Sequence, residues 1–245
     1  MPKNYEYFTQ EGAPIFGGYS GPRMLTIKTK LDNIRTKTML RPLSTTKETG
    51  INGGFFAADD GYHSPPTAGR SICYNKFDEG DEVTYEIRTL KEIYKYNGKS
   101  SNPKSRKTAV IYEDSNGNTK AAYMYATKLS EVLDRYSTAT NVIGGTSFNA
   151  SDWSDTAFYG PTPRTVFAWK GSYAYLIVVP DAINVPQLKD SLEHVGLDPT
   201  NAIVLDGSGS SSIQVHDDDR GLDTDFSFYG EDRYLFNIIR VNKDY

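Results

Sequence analysis

Hydrophobic and polar residues alternate with a period of two along much of this chain, the pattern of half-buried β-strands. Met24-Leu25-Thr26-Ile27-Lys28-Thr29 alternates and predicts a strand. Strand-like pieces also fall at Val83–Ile87 and Thr108–Tyr112. Thr165–Trp169 and Tyr173–Val179 read as two arms of a hairpin around Lys170-Gly171-Ser172. Ala202–Leu205, Ile213–His216 and Arg233–Val241 predict three further strands, and Ile51–Phe56 is an apolar segment broken by glycines. Helical spacing occurs twice. Lys128–Tyr136 predicts a short helix, and Pro186–Val195 a second one, opened by Asn184 and Pro186 and closed by Gly196. Asp59–Gly69 reads as a long loop, and Lys99–Lys107, with Lys99, Lys104, Arg106 and Lys107, as a solvated basic connector. Residues 1–23, rich in Gly, Pro and Tyr, read as an irregular lead-in. No repeat and no linker divides the chain. The expectation is one domain over residues 1–245 of α+β class: a strand-rich mixed sheet core with a few short helices.

Composition narrows the function. Of 245 residues 38% are hydrophobic and 24% charged, which suits a soluble globular protein. The formal net charge of −4 argues against a nucleic-acid partner. A single cysteine, Cys73, excludes an internal disulfide and has no evident base to activate it. No apolar stretch is long enough to span a membrane as a helix. Met1–Tyr7 has no apolar signal region, so the expected location is cytoplasmic, as for a protein encoded by a virus of bacteria, or extracellular if the chain is trimmed. The pattern leaves the oligomeric state open.

The densest chemistry lies at Ile203-Val204-Leu205-Asp206-Gly207-Ser208-Gly209-Ser210-Ser211-Ser212. A buried strand delivers one carboxylate into a loop of glycines and serines. Backbone N–H and hydroxyl donors beside a carboxylate suit a ligand with both phosphate oxygens and hydroxyls. The same residues also make an ordinary turn. The loop lacks the Gly-Lys-Ser/Thr ending of a nucleotide-binding loop and does not fit G-x-S-x-G. His216-Asp217-Asp218-Asp219-Arg220 reads as a solvated acidic turn, with a chance calcium site as the alternative; its spacing is not that of an EF-hand. No metal or cofactor is otherwise expected.

Three segments in order complete the picture: Ile51-Asn52-Gly53-Gly54-Phe55-Phe56, Pro163-Arg164-Thr165, and Leu205-Asp206-Gly207-Ser208-Gly209-Ser210-Ser211. With a hairpin after the second and a helix before the third, the chain resembles the phosphodiester glycosidase family, of the uncovering-enzyme type. The resemblance spans roughly residues 45–241 and is strongest over 160–241. It departs at Ser208, where the family has a glycine, and at Ala182, where the family's strand ends Asp-Gly.

The resemblance implies a hydrolase that cleaves a sugar-1-phosphodiester at the anomeric C–O bond and frees the sugar. The transition state there is oxocarbenium-like, with negative charge growing on phosphate. Arg164 would clamp the phosphate, since a planar fork matches its oxygens. Asp206 would act at the sugar carbon, with Asp181 as a second carboxylate and His63 as a candidate general acid. Asn52, Gly53, Gly54, Thr165, Gly207, Ser208, Gly209, Ser210 and Ser211 would bind substrate. Two alternatives stand beside this: a non-catalytic carbohydrate- or phosphosugar-binding module, and a phosphodiesterase that cuts the P–O bond.

Overall fold

The computed structural model describes residues 4–15, 20–77, 95–217 and 221–242. Three larger sheets form among them. The first runs β1 (Tyr5–Glu11), β2 (Arg23–Lys30), β14 (Tyr173–Ile183), β13 (Thr162–Lys170), β15 (Ala202–Val204). The second runs β11 (Thr119–Ala126), β10 (Arg106–Glu113), β12 (Ala139–Gly144), β7 (Cys73–Asn75). The third runs β17 (Gly221–Phe228), β16 (Ile213–Asp217), β4 (Gly50–Asn52), β18 (Leu235–Val241), β3 (Ile34–Arg41). Two small pairs, β5 (Phe56–Ala57) with β6 (Ala68–Gly69) and β8 (Gly98–Lys99) with β9 (Asn102–Pro103), decorate them.

Alternation decides the layering. On β13, Phe167 and Trp169 face one way, into a core shared with Ile111 of β10, Ile213 of β16 and Ile239 of β18. Val166 and Ala168 face the other way, under a layer that includes Leu188 and Leu192 of the helix Val185–His194. The first sheet is thus covered on both faces, by the other sheets and by a helix. The helix begins at Asn184, whose side chain accepts from Gln187 N–H while Gln187 Oε1 accepts from Asn184 N–H, a reciprocal cap. Gly196, at φ +76°, ends it.

The expected α+β class is corrected: the chain is mostly β, with antiparallel pairing and a few short helices. The expected strands at residues 24–29, 108–112, 165–169, 173–179 and 202–205 appear, most of them longer at both ends. The lead-in is also corrected, since Tyr5–Glu11 pairs along its whole length with β2. Polar side chains hid other strands. Asn141 sits fully buried in β12, where its carboxamide accepts from Thr36 N–H and donates to Ile34 O of β3. That residue joins two sheets, yet in sequence it interrupts an apolar run. Arg106 and Lys107, expected in a solvated connector, open β10 opposite Ala126 and Tyr125. The expected strand Val83–Ile87 and residues Asp218, Asp219 and Arg220 of the acidic turn lie outside the described residues. No helix among the described residues is long and apolar enough to cross a membrane.

Candidate active site

The three motifs meet at the open end of β15. Leu205 N–H donates to Thr165 O, Asp206 N–H to Gly53 O and Asn52 N–H to Ser212 O. Asn52 ties the junction together. Its Nδ2 donates to Asp206 O at 2.7 Å, and its Oδ1 accepts from Thr165 Oγ1 at 2.8 Å and Ser212 N–H at 2.9 Å. The Asn52 and Thr165 side chains are buried and engaged with protein partners, so they fix the loop and do not face a cleft. Gly53 and Gly54 allow close packing instead. A Cβ on Gly53 would fall 1.7 Å from Asn237 Oδ1, and one on Gly54 2.4 Å from Ser71 Cβ. Both N–H groups bond to Asn237, which leaves neither glycine donating to a ligand.

Asp206 stands out electrostatically. Protein crowds it on most sides, yet part of its surface stays open. Burial pushes its carboxyl pKa up to about 6, against the opposing influence of Ser210, Arg233, the Gly207 N–H and Arg106. Among the described residues no cation lies within ion-pair contact of it. The Ser210 hydroxyl is near enough to favour the charged form but makes no well-formed hydrogen bond, and both Ser210 Oγ and Ser211 Oγ are buried without a partner. A half-buried carboxylate without a counter-ion, near the unsatisfied Ser210 hydroxyl, is available to a ligand.

Two arginines that the sequence did not single out lie within electrostatic reach. Arg106 places its guanidinium 4.8 Å from the Phe55 ring centroid and donates from Nη1 to Arg70 O. Its other nitrogens have no hydrogen bond among the described residues. Burial lowers its pKa, and Asp206 raises it back in part. Arg233 holds Glu231 Oε2 through Nε and Nη2, at 2.8 and 2.6 Å, and lies 3.6 Å from the Tyr62 ring centroid. Gly209 makes room for this pair: a Cβ there would fall 2.4 Å from the Glu231 carboxyl. The signal for Arg106 was masked by its basic neighbours, and that for Arg233 by the strand-like run that follows it.

The remaining expected residues are dispersed. Arg164 is buried, and its guanidinium donates from Nε to Ile183 O and from Nη2 to Ala157 O and Gly160 O. With no carboxylate beside it, burial lowers its pKa to about 10. Asp181 is exposed and accepts from Arg23 N–H, on the side of β14 away from Asp206. His63 is exposed in the loop between β5 and β6. Gly207 packs against Pro163 O, and Ser208 is exposed with φ +59°, a left-handed conformation. No group of three or more metal-ligating side chains occurs among the described residues.

By sequence, the chain matches no family model and no curated protein. Its fold is similar to the zebrafish N-acetylglucosamine-1-phosphodiester alpha-N-acetylglucosaminidase catalytic domain, solved auto-inhibited by its pro-peptide. That match has a TM-score of 0.60 at 15% identity and covers 97% of this chain and 82% of the other. A hypothetical protein from Synechocystis matches with a TM-score of 0.55 at 12% identity, over 97% of this chain and 62% of that one. These likenesses show the fold.

Proposed function

We propose that this protein is a hydrolase of the phosphodiester glycosidase type, which cleaves a sugar-1-phosphodiester between the anomeric carbon and the bridging oxygen. The observation that carries the reading is Asp206: an unpaired, half-buried carboxylate at the junction of three motifs, with two arginines near but not touching it. The fold likeness to a sugar-1-phosphodiester glycosidase domain supports the same reading.

In this reading the phosphate faces Arg106 and Arg233, and the sugar carbon faces Asp206. The unbonded guanidinium nitrogens take up the charge that grows on the leaving phosphate. Asp206, ionised above a pH of about 6, faces the anomeric carbon and stabilises its developing positive charge or activates attack there. Water gives its hydroxyl to the sugar carbon and its proton to Asp206, the C–O bond breaks, and the bridging electron pair leaves with the phosphate monoester. A phosphate needs little protonation to depart, so a strong general acid is not required. Arg164 and Asn52 serve as positioning residues, and the phosphate clamp passes to Arg106 and Arg233.

The test is hydrolysis of sugar-1-phosphodiesters in oxygen-18 water, with Asp206→Asn as control. The expected result is label in the free sugar and a loss of turnover of at least about 100-fold in the variant. Label in the phosphate would mean P–O cleavage instead. Binding without turnover by the wild type would mean a phosphosugar-binding module.

A further inference from the structure

Tyr62 is nearly half exposed, at 47%, yet it is held firmly. Tyr234 N–H donates to its carbonyl at 2.9 Å, which pins the loop between β5 and β6 to the approach of β18. Arg233 lies 3.6 Å from its ring centroid, and Phe56 meets it edge to face at 6.4 Å and 81°. An exposed aromatic ring held by two contacts, on a loop pinned by a third, loses little freedom when a flat ligand stacks on it.

Its place relative to the candidate site gives the ring a role. Arg233 is electrostatically coupled to Asp206 and stacked with Tyr62. If the sugar carbon faces Asp206 and the phosphate faces the arginines, the ring borders whatever follows the phosphate. Arg106 supplies a second guanidinium with free donors, as a second phosphate group would need.

We propose that Tyr62 and Arg233 form a subsite for a planar aromatic leaving group, so that the substrate class is a nucleoside diphosphate sugar. This inference rests on the proposed hydrolase reading and specifies its leaving group. The base stacks on Tyr62, and the diphosphate spans Arg233 and Arg106. Stacking of a base on an aromatic side chain is worth about 1–3 kcal/mol, or roughly 5- to 150-fold in affinity.

Two measurements on the full chain test it. Calorimetry with uridine diphosphate is expected to show binding to the wild type and Tyr62→Phe, weakened about tenfold or more in Tyr62→Ala. Turnover of UDP-N-acetylglucosamine is then compared with that of the methyl phosphodiester of N-acetylglucosamine-1-phosphate. The ratio of their kcat/KM values is expected to favour the nucleotide sugar in the wild type and to fall by a similar factor in Tyr62→Ala. Hydrolysis of the methyl diester with no uridine diphosphate binding would overturn the subsite and leave the hydrolase reading intact. Tyr62-dependent binding with neither ester hydrolysed would keep the subsite and overturn the hydrolase reading. A Tyr62-dependent preference for a mannose phosphodiester over the nucleotide sugar would make the ring a sugar platform and overturn the nucleoside assignment.

Discussion

Ser208 occupies a backbone conformation that suits glycine. Its φ of +59° sets Cβ against the backbone, at a cost of about 1–2 kcal/mol for an L-residue. The resemblance in sequence already marked this position as a glycine replaced, and the structure supplies the physical consequence. Ser208→Gly is expected to raise stability by about 0.5–1 kcal/mol, since the relieved strain exceeds the extra freedom of the unfolded chain. A denaturant midpoint measures this. Other residues were less legible. Asn52 looked like a ligand donor because an amide beside two glycines has that chemistry. Three of its hydrogen bonds run instead to Asp206 O, Thr165 Oγ1 and Ser212 N–H, partners more than 100 residues away that no local pattern reveals.

At the scale of elements, Arg164 acts as a latch. It stands near the start of β13 and joins the end of β14, through Ile183 O, to the helix Asp155–Tyr159 and its C-terminal Gly160. Arg164→Lys keeps the charge but cannot reach three carbonyls in the same geometry. The variant is expected to lose about 2–4 kcal/mol of stability in denaturant unfolding. A phosphate clamp at this position would instead raise KM in a fully stable protein. The hairpin of β13 and β14 and the helix Val185–His194 were legible because clean alternation, a reciprocal cap and a terminal glycine all act locally. β10 was legible only in part. Its apolar run starts at Ala109, and the basic residues before it look solvated, although pairing with β11 carries the strand back to Arg106. Arg106, one of the two arginines that act on Asp206, therefore looks like a surface residue in the sequence.

For the whole molecule, layering makes the site. Core packing of the first sheet against the other two brings β4, β13 and β15 together, so that motifs more than 100 residues apart share hydrogen bonds. The sequence carried the order of the motifs and the identity of Asp206. It could not carry Arg233 as a neighbour of that carboxylate, or Glu231 and Tyr62 as the partners that hold Arg233, because a loop crossing and a glycine contact at Gly209 assemble them. In the proposed reaction Asp206 acts as a carboxylate whose pKa burial raises to about 6. Raised from 3.8, the group is largely protonated below that value and ionised above it. The most direct measurement is kcat/KM for sugar release as a function of pH, which reports the essential groups of the free enzyme. It should climb through a pH of about 6 and level off above it, with that limb absent in Asp206→Asn. Sugar release that falls as pH rises through 6, or that follows the same profile in the variant, would mean that Asp206 is not the essential carboxylate.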